Sequence, residues 1–303
     1  MIDERLLRHL YAYDRSLPLA PSSEVEPVRD TRTQEPIEGL RRERVTFGST
    51  HDERVLATVT YPDAGGPFAA VIIQHGSTPM GRHTWAMPGR HPLHIAWAQL
   101  GMMTVAVDAY GFGSREGPDN RGRLGTDRAD LMFRTRDARI QAVQDLMRTV
   151  DYLRGRDDVR PEAIGYAGVS MGCRIGVPFA GLDDRVAAAA FFVGGSGPYA
   201  SWAIDGTEYA DLAEDRDLVF ALTDPIVFAP MTAGRPMFMA NGERDVLVGR
   251  EAGEQLQAAL GEPKTLRWFD GGHGETPREL FDEAGEFLAH HLAVPLPARA
   301  AAR

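Results

Sequence analysis

One cysteine, Cys173, is all the thiol this 303-residue chain holds, so an intrachain disulfide framework is excluded. A single thiol suits a reducing cytoplasm, and that is the compartment expected. The opening residues Met1-Ile2-Asp3-Glu4-Arg5 lack the basic start and apolar stretch of a secretory signal. No apolar run approaches the length of a membrane span. Positive charge is also short: a formal net charge of −10 repels nucleic acid and anionic membranes, so neither is expected as a partner. Internal repeats are missing, and the only biased stretch is the short tail 295–303, expected to fray. What remains is the balance of an ordinary soluble protein, 43% hydrophobic and 25% charged, long enough to bury a large core.

The apolar pattern predicts alternating strands and helices. Residues 3–13 form a short amphipathic helix with Leu6, Leu7, Leu10 and Tyr13 on one side. Ser16 to Pro27 reads as an extended connection, and 1–40 as an arm packed on a domain spanning 41–294. Arg44–Phe47 and Val55–Tyr61 make a hairpin at one sheet edge. Ala69–Gln74, Met103–Val107, Ile164–Val169, Val186–Val193, Pro236–Ala240 and Thr265–Phe269 are short apolar strands of the kind buried on both faces. Helices are expected over 88–100, 138–154, 249–260 and 276–292, with Val143, Leu146, Met147, Val150 and Leu153 the clearest apolar stripe. This is an α/β order, giving a mostly parallel twisted sheet with helices on both faces. Residues 196–231 break the alternation and form the expected small helical cap.

Between the strand 164–169 and the helix after it lies Gly168-Val169-Ser170-Met171-Gly172, a G-x-S-x-G nucleophile elbow. A sharp strand-to-helix turn lifts the Ser170 hydroxyl clear of the sheet. It also aims the Met171 N–H, at the positive end of a helix, toward an oxyanion forming beside the serine. A serine hydroxyl needs a base, usually a histidine held by a carboxylate. Two downstream strand-end loops supply them: Asn241-Gly242-Glu243-Arg244-Asp245, and Asp270-Gly271-Gly272-His273-Gly274. Glu243 and Asp270 compete with Asp245 for the carboxylate role. His83, His91 and His94 fit no common ligand spacing, so no metal is expected. Asp108 reads as a structural acid closing its strand, and Cys173 as a packed residue behind the nucleophile.

From the first helix onward the chain resembles the α/β-hydrolase superfamily, nearest its dienelactone hydrolase and acetyl-esterase-like branches. The resemblance rests on His75-Gly76, Asp108-x-x-Gly111-x-Gly113-Ser114, Gly168 to Gly172, Gly242-x-x-Asp245 and Gly272-His273, with Tyr13 to Leu19 similar to the arm of bacterial members. It implies an α/β-hydrolase fold and a serine hydrolase that cleaves small-molecule carboxylic esters through an acyl-enzyme. Ser170 would be nucleophile, His273 general base then acid, and Asp245 the orienting carboxylate. The backbone N–H groups of Ser77 and Met171 would form the oxyanion hole. No cofactor is implied. His75, Tyr199 and Trp202 are the expected substrate-pocket residues, although His75 more often shapes the oxyanion loop than reacts and is read as structural. Two departures concern the substrate: dienelactone hydrolases proper carry cysteine where Ser170 stands, and many acetyl xylan esterases carry glutamine where Met171 stands. The alternatives are C–C bond or amide cleavage by the same triad, and a non-catalytic binding protein of this fold. A homodimer is the default assembly.

Overall fold

A computed structural model describes residues 2–87, 91–117, 132–197 and 221–295. Its frame is a nine-stranded sheet made of β1 (Ser22–Glu26), β2 (Leu40–Gly48), β3 (Arg54–Pro62), β4 (Phe68–Gln74), β5 (Met103–Val107), β6 (Val159–Val169), β7 (Val186–Phe192), β8 (Met237–Gly242) and β9 (Lys264–Phe269). The spatial order is β1-β2-β3-β5-β4-β6-β7-β8-β9. Pairing is antiparallel from β1 through β3 to β5, and parallel from β5 across to β9. The sequence explains the division. Every residue of β4 and β5 is buried, as a strand covered on both faces requires, whereas β3 alternates between core and half-exposed positions.

The helices α1 (Glu4–Leu10), α2 (Leu93–Gln99), α3 (Met132–Arg154), α4 (Met171–Leu182), α5 (Arg250–Ala259) and α6 (Arg278–His291) flank this sheet. Two apolar layers result. One joins α3 and α4 to the sheet through Val143, Leu146, Val150, Ile175 and Phe179, and also takes in Leu7 and Tyr11 of the N-terminal arm. The other joins α2 and α6 through Leu93, Trp97, Ala284 and Leu288. Among the described residues no helix is long and apolar enough to cross a membrane.

Several boundaries differ from the sequence pattern, each for a physical reason. The connection 16–27 contains β1, which pairs with β2 from Ser22↔Thr46 to Glu26↔Arg42. Its residues are nearly all exposed, so no apolar alternation announces it; ladder hydrogen bonds and the Arg44–Glu24 ion pair hold it instead. Leu6 is 53% exposed, while Leu7 and Tyr11 are buried. Leu10 and Tyr13 pack against the same core, so of the expected face only Leu6 points outward. Helix α3 starts at Met132, before 138, and Arg134 to Asp137 carry no apolar stripe to announce it. Helix α2 begins at Leu93, after Pro92, rather than at 88.

Residues 198–220 of the expected cap, with Tyr199 and Trp202, lie outside the described residues. Its final part is core rather than cover. Phe228 is fully buried and packs edge-on against Tyr11, whose hydroxyl donates to the Leu222 carbonyl, while Arg8 of the same helix reaches the Leu182 carbonyl at the end of α4. That contact lies a whole helix length away from Ser170.

His94, on α2, is buried, and its Nδ1 has no hydrogen-bond partner among the described residues. Burial first, and the positive charge of Arg42 second, push its pKa down to about 3. The imidazole is thus neutral in the folded chain but gains a proton near pH 6.5 when unfolded. Between those values the unfolded chain binds more protons, so stability falls as pH drops through that window. Urea midpoints measured at about pH 7 and about pH 4.5 should separate widely for wild type and less for His94→Leu. An equal separation in the variant would place the acid sensitivity elsewhere.

Candidate active site

Strand β4 lies between β5 and β6, so the chain leaves it toward one side and later returns on the other. Crevices form at the carboxyl end of a strand at such a switch point. Because β4, β6, β8 and β9 run parallel, the loops after them gather at that same edge. These loops carry Ser77, Ser170, Asp245 and His273.

Ser170 stands between β6 and α4 with φ 54° and ψ −109°, a conformation costly for a residue with a side chain. Its N–H donates to the Phe192 carbonyl at 2.8 Å, and its own carbonyl accepts from Cys173 and Arg174 at 2.8 and 3.0 Å. The flanking glycines are steric necessities. A Cβ on Gly168 would sit 2.4 Å from the Gly172 carbonyl oxygen, and one on Gly172 would sit 2.5 Å from that of Gln74.

The structure brings the three expected side chains together. His273 Nε2 lies 2.7 Å from Ser170 Oγ, and its Nδ1 lies 2.8 Å from Asp245 Oδ2. The other carboxylate oxygen of Asp245 accepts from the N–H groups of Leu247 and Val248, both at 2.9 Å. Asp245 is closed off from solvent, while His273 keeps 19% of its side-chain surface. A carboxylate on Nδ1 fixes the tautomer, so Nδ1–H donates and Nε2 is free to take the serine proton. The competing acids face water: Asp270 pairs with Arg244 on the surface, and Glu243 lies near Arg250.

Met171 opens α4, where an N–H has no acceptor inside its own helix. The loop after β4 runs against the serine, since a Cβ on Gly76 would meet Ser170 Cβ at 3.4 Å. The next residue, Ser77, donates its N–H to no backbone carbonyl among the described residues. An oxyanion hole requires backbone donors of this kind beside the nucleophile.

His75 takes the loop-shaping, structural role rather than a place in a pocket lining. Its ring is fully buried; Nδ1–H donates to the Gly76 carbonyl at 2.7 Å, and Nε2 accepts from the Ala109 N–H at 3.1 Å. Burial, the largest influence, lowers its pKa and keeps it neutral, as that acceptor role needs. Cys173 is buried, and burial pushes its thiol up to about 12, which removes it as a rival nucleophile. His91 meets Asp282 at 3.1 Å, and no group of three or more His, Cys, Asp or Glu side chains among the described residues is placed to hold a metal ion.

Sequence reasoning missed two supports of this edge. Asn241 donates to the Gly194 carbonyl at 2.7 Å and accepts from Gln257 at 3.0 Å, tying β8 to the loop after β7. Arg82 forms a buried ion pair with Asp108. The position of Asn241 at a strand end was a usable signal, but nothing near Arg82 in the sequence pointed to its partner.

A mainly parallel sheet with this switch point, and with Ser, Asp and His delivered in that order after β6, β8 and β9, is the α/β-hydrolase fold. The chain belongs to the dienelactone hydrolase family, whose pattern matches residues 60–274. Two solved structures share the fold at low identity. Acetyl xylan esterase from Paenibacillus sp. R4 aligns with TM-score 0.70 at 18% identity, covering 94% of this chain and 92% of its own. Acetyl xylan esterase 1 from Thermoanaerobacterium sp. JW/SL YS485 aligns with TM-score 0.69 at 17% identity, covering 95% and 93%. A putative hydrolase of Bacillus subtilis (strain 168), YtaP, is 34% identical over 88 residues, a match that spans 29% of this chain and 28% of that protein.

Proposed function

We propose that the protein is a serine hydrolase that cleaves carboxylic esters of small molecules through an acyl-enzyme. The observation that carries this reading is the His273 ring, hydrogen-bonded to Ser170 on one nitrogen and to buried Asp245 on the other. Membership of a hydrolase family and the esterase names of two structural neighbours support it.

In the first half-reaction Ser170 Oγ adds to the ester carbonyl carbon while its proton passes to His273 Nε2. The carbonyl oxygen becomes an oxyanion between the N–H groups of Met171 and Ser77. Collapse of this tetrahedral species breaks the bond to the alcohol oxygen, which takes the proton from His273 and leaves. Water then attacks acyl-Ser170, giving its proton to His273, and the acid departs as Ser170 recovers its hydrogen. Asp245 stabilises the imidazolium in both halves without itself taking the proton.

Labelling with a fluorophosphonate, read by intact mass, tests the activated serine, and a series of nitrophenyl esters of increasing chain length sizes the acyl pocket. A single adduct on Ser170, forming far more slowly in His273→Ala, is the expected result. No adduct and no burst of nitrophenol on any ester would sink the proposal.

A further inference from the structure

Asp108 closes β5 at the same sheet edge as the triad, and its carboxylate is wholly buried. Its oxygens accept from the Arg82 N–H at 2.7 Å, the Ser114 N–H at 3.0 Å and the Arg82 guanidinium. The guanidinium, itself nearly buried, also donates to Ser114 Oγ at 3.1 Å and, through Nε, to Thr58 Oγ1 at 3.2 Å on β3. Two glycines press against the carboxylate: Cβ atoms on Gly81 and Gly113 would lie 2.3 and 2.4 Å from Oδ1. Both have positive φ, so the backbone wraps the acid where other side chains could not follow.

The loop from His75 to Arg82 contains Ser77, and both of its ends are tied to one short stretch of chain. His75 is held by the Ala109 N–H at one end, and the Arg82 N–H by Asp108 at the other. A loop fixed at both ends to adjacent residues cannot slide along the sheet edge, and the N–H of Ser77 is carried between those two points. We propose that Arg82 and Asp108 are positioning residues that hold the Ser77 N–H where the oxyanion forms. This rests on the serine-hydrolase reading. Asp108 acts through the loop rather than on substrate: both of its carboxylate oxygens are buried and already accept from Arg82 and Ser114. Arg82 is required because a buried carboxylate without a cation is expensive, and its fork joins the acid, Ser114 and β3 in one geometry that a point charge does not reproduce.

The test compares Arg82→Gln, Arg82→Lys and Asp108→Asn with wild type in kcat, KM, thermal midpoint and affinity for an alkyl boronic acid. The boronate becomes tetrahedral on the serine and reports the oxyanion hole, whereas KM reports ground-state binding. In Arg82→Gln, kcat and boronate affinity should fall together by about 10- to 100-fold with KM within about 3-fold, because a small misplacement costs less than losing a donor outright. Lysine should restore part of the loss. A folded Arg82→Gln or Asp108→Asn that keeps both wild-type kcat and boronate affinity overturns the proposal, as does a rise in KM alone. Should those variants fail to fold, Thr58→Val removes one tether of the guanidinium from outside the site; a parallel loss of about 2- to 5-fold supports the role, and no change overturns it. A wild-type protein that neither takes the fluorophosphonate nor binds boronate would instead remove the serine-hydrolase reading beneath.

Discussion

Ser170→Ala is expected to lower ester turnover by about 10⁴- to 10⁶-fold, the range seen when a serine nucleophile is removed from a working triad. The size follows from the geometry. His273 Nε2 has one hydroxyl in reach among the described residues, at 2.7 Å, and the chain's one thiol, Cys173, is buried with its pKa pushed up to about 12. Among the described residues no second nucleophile is in place to substitute. What survives should come from the two backbone donors and from substrate binding. Stability should change little, since the elbow conformation is set by the Gly168 and Gly172 contacts and by backbone hydrogen bonds, all of which alanine keeps. The measurement is kcat with the enzyme purified from a host lacking esterase background, alongside the denaturant midpoint. Retention of more than about a hundredth of wild-type kcat would mean that the nucleophile is another group.

Asp145→Ala is expected to cost about 3–5 kcal/mol of stability, because it takes the buried counter-ion from a buried guanidinium. Asp145, in the middle of α3, pairs with Arg115, and both side chains are almost fully buried. It also accepts from Ser49 and from Gln141 Nε2, so three donors lose an acceptor together. Glu53 remains beside Arg115 at 3.2 Å but is more than a third exposed, a weaker counter-ion. The change should appear as a lower urea midpoint at unchanged m. The double variant Arg115→Leu/Asp145→Leu should recover part of the loss, as replacing a buried pair costs less than halving it. A single-variant cost below about 1 kcal/mol would show that water reaches the guanidinium.

These two residues also mark what was legible in the chain. Ser170 could be read because its neighbours are constrained by contact: any side chain at 168 or 172 collides with backbone, so glycine must appear at that spacing. Asp245 and His273 followed from order and from their places just past apolar strands. The sheet was legible where burial on both faces imposes apolar runs, as in β4 and β7. Elements held by polar bonds left no such trace. Strand β1 is exposed and held by its ladder, the Arg82–Asp108 and Arg115–Asp145 pairs join residues about thirty apart, and the histidine-glycine signature at His75 does not say which way the ring points. Pairings across space are set by the fold, and local spacing does not carry them.

The docking of α1 also bears on how the chain is made. Arg8 and Tyr11 bond to the carbonyls of Leu182 and Leu222, which lie 174 and 211 residues later. A ribosome adding about 5–20 residues per second takes about 10 to 40 s to supply those partners. During that interval Arg8 and Tyr11 lack these two acceptors. Helix α1 therefore completes its docking only once the chain through Leu222 has been made, and it closes over a core assembled by the residues that follow it.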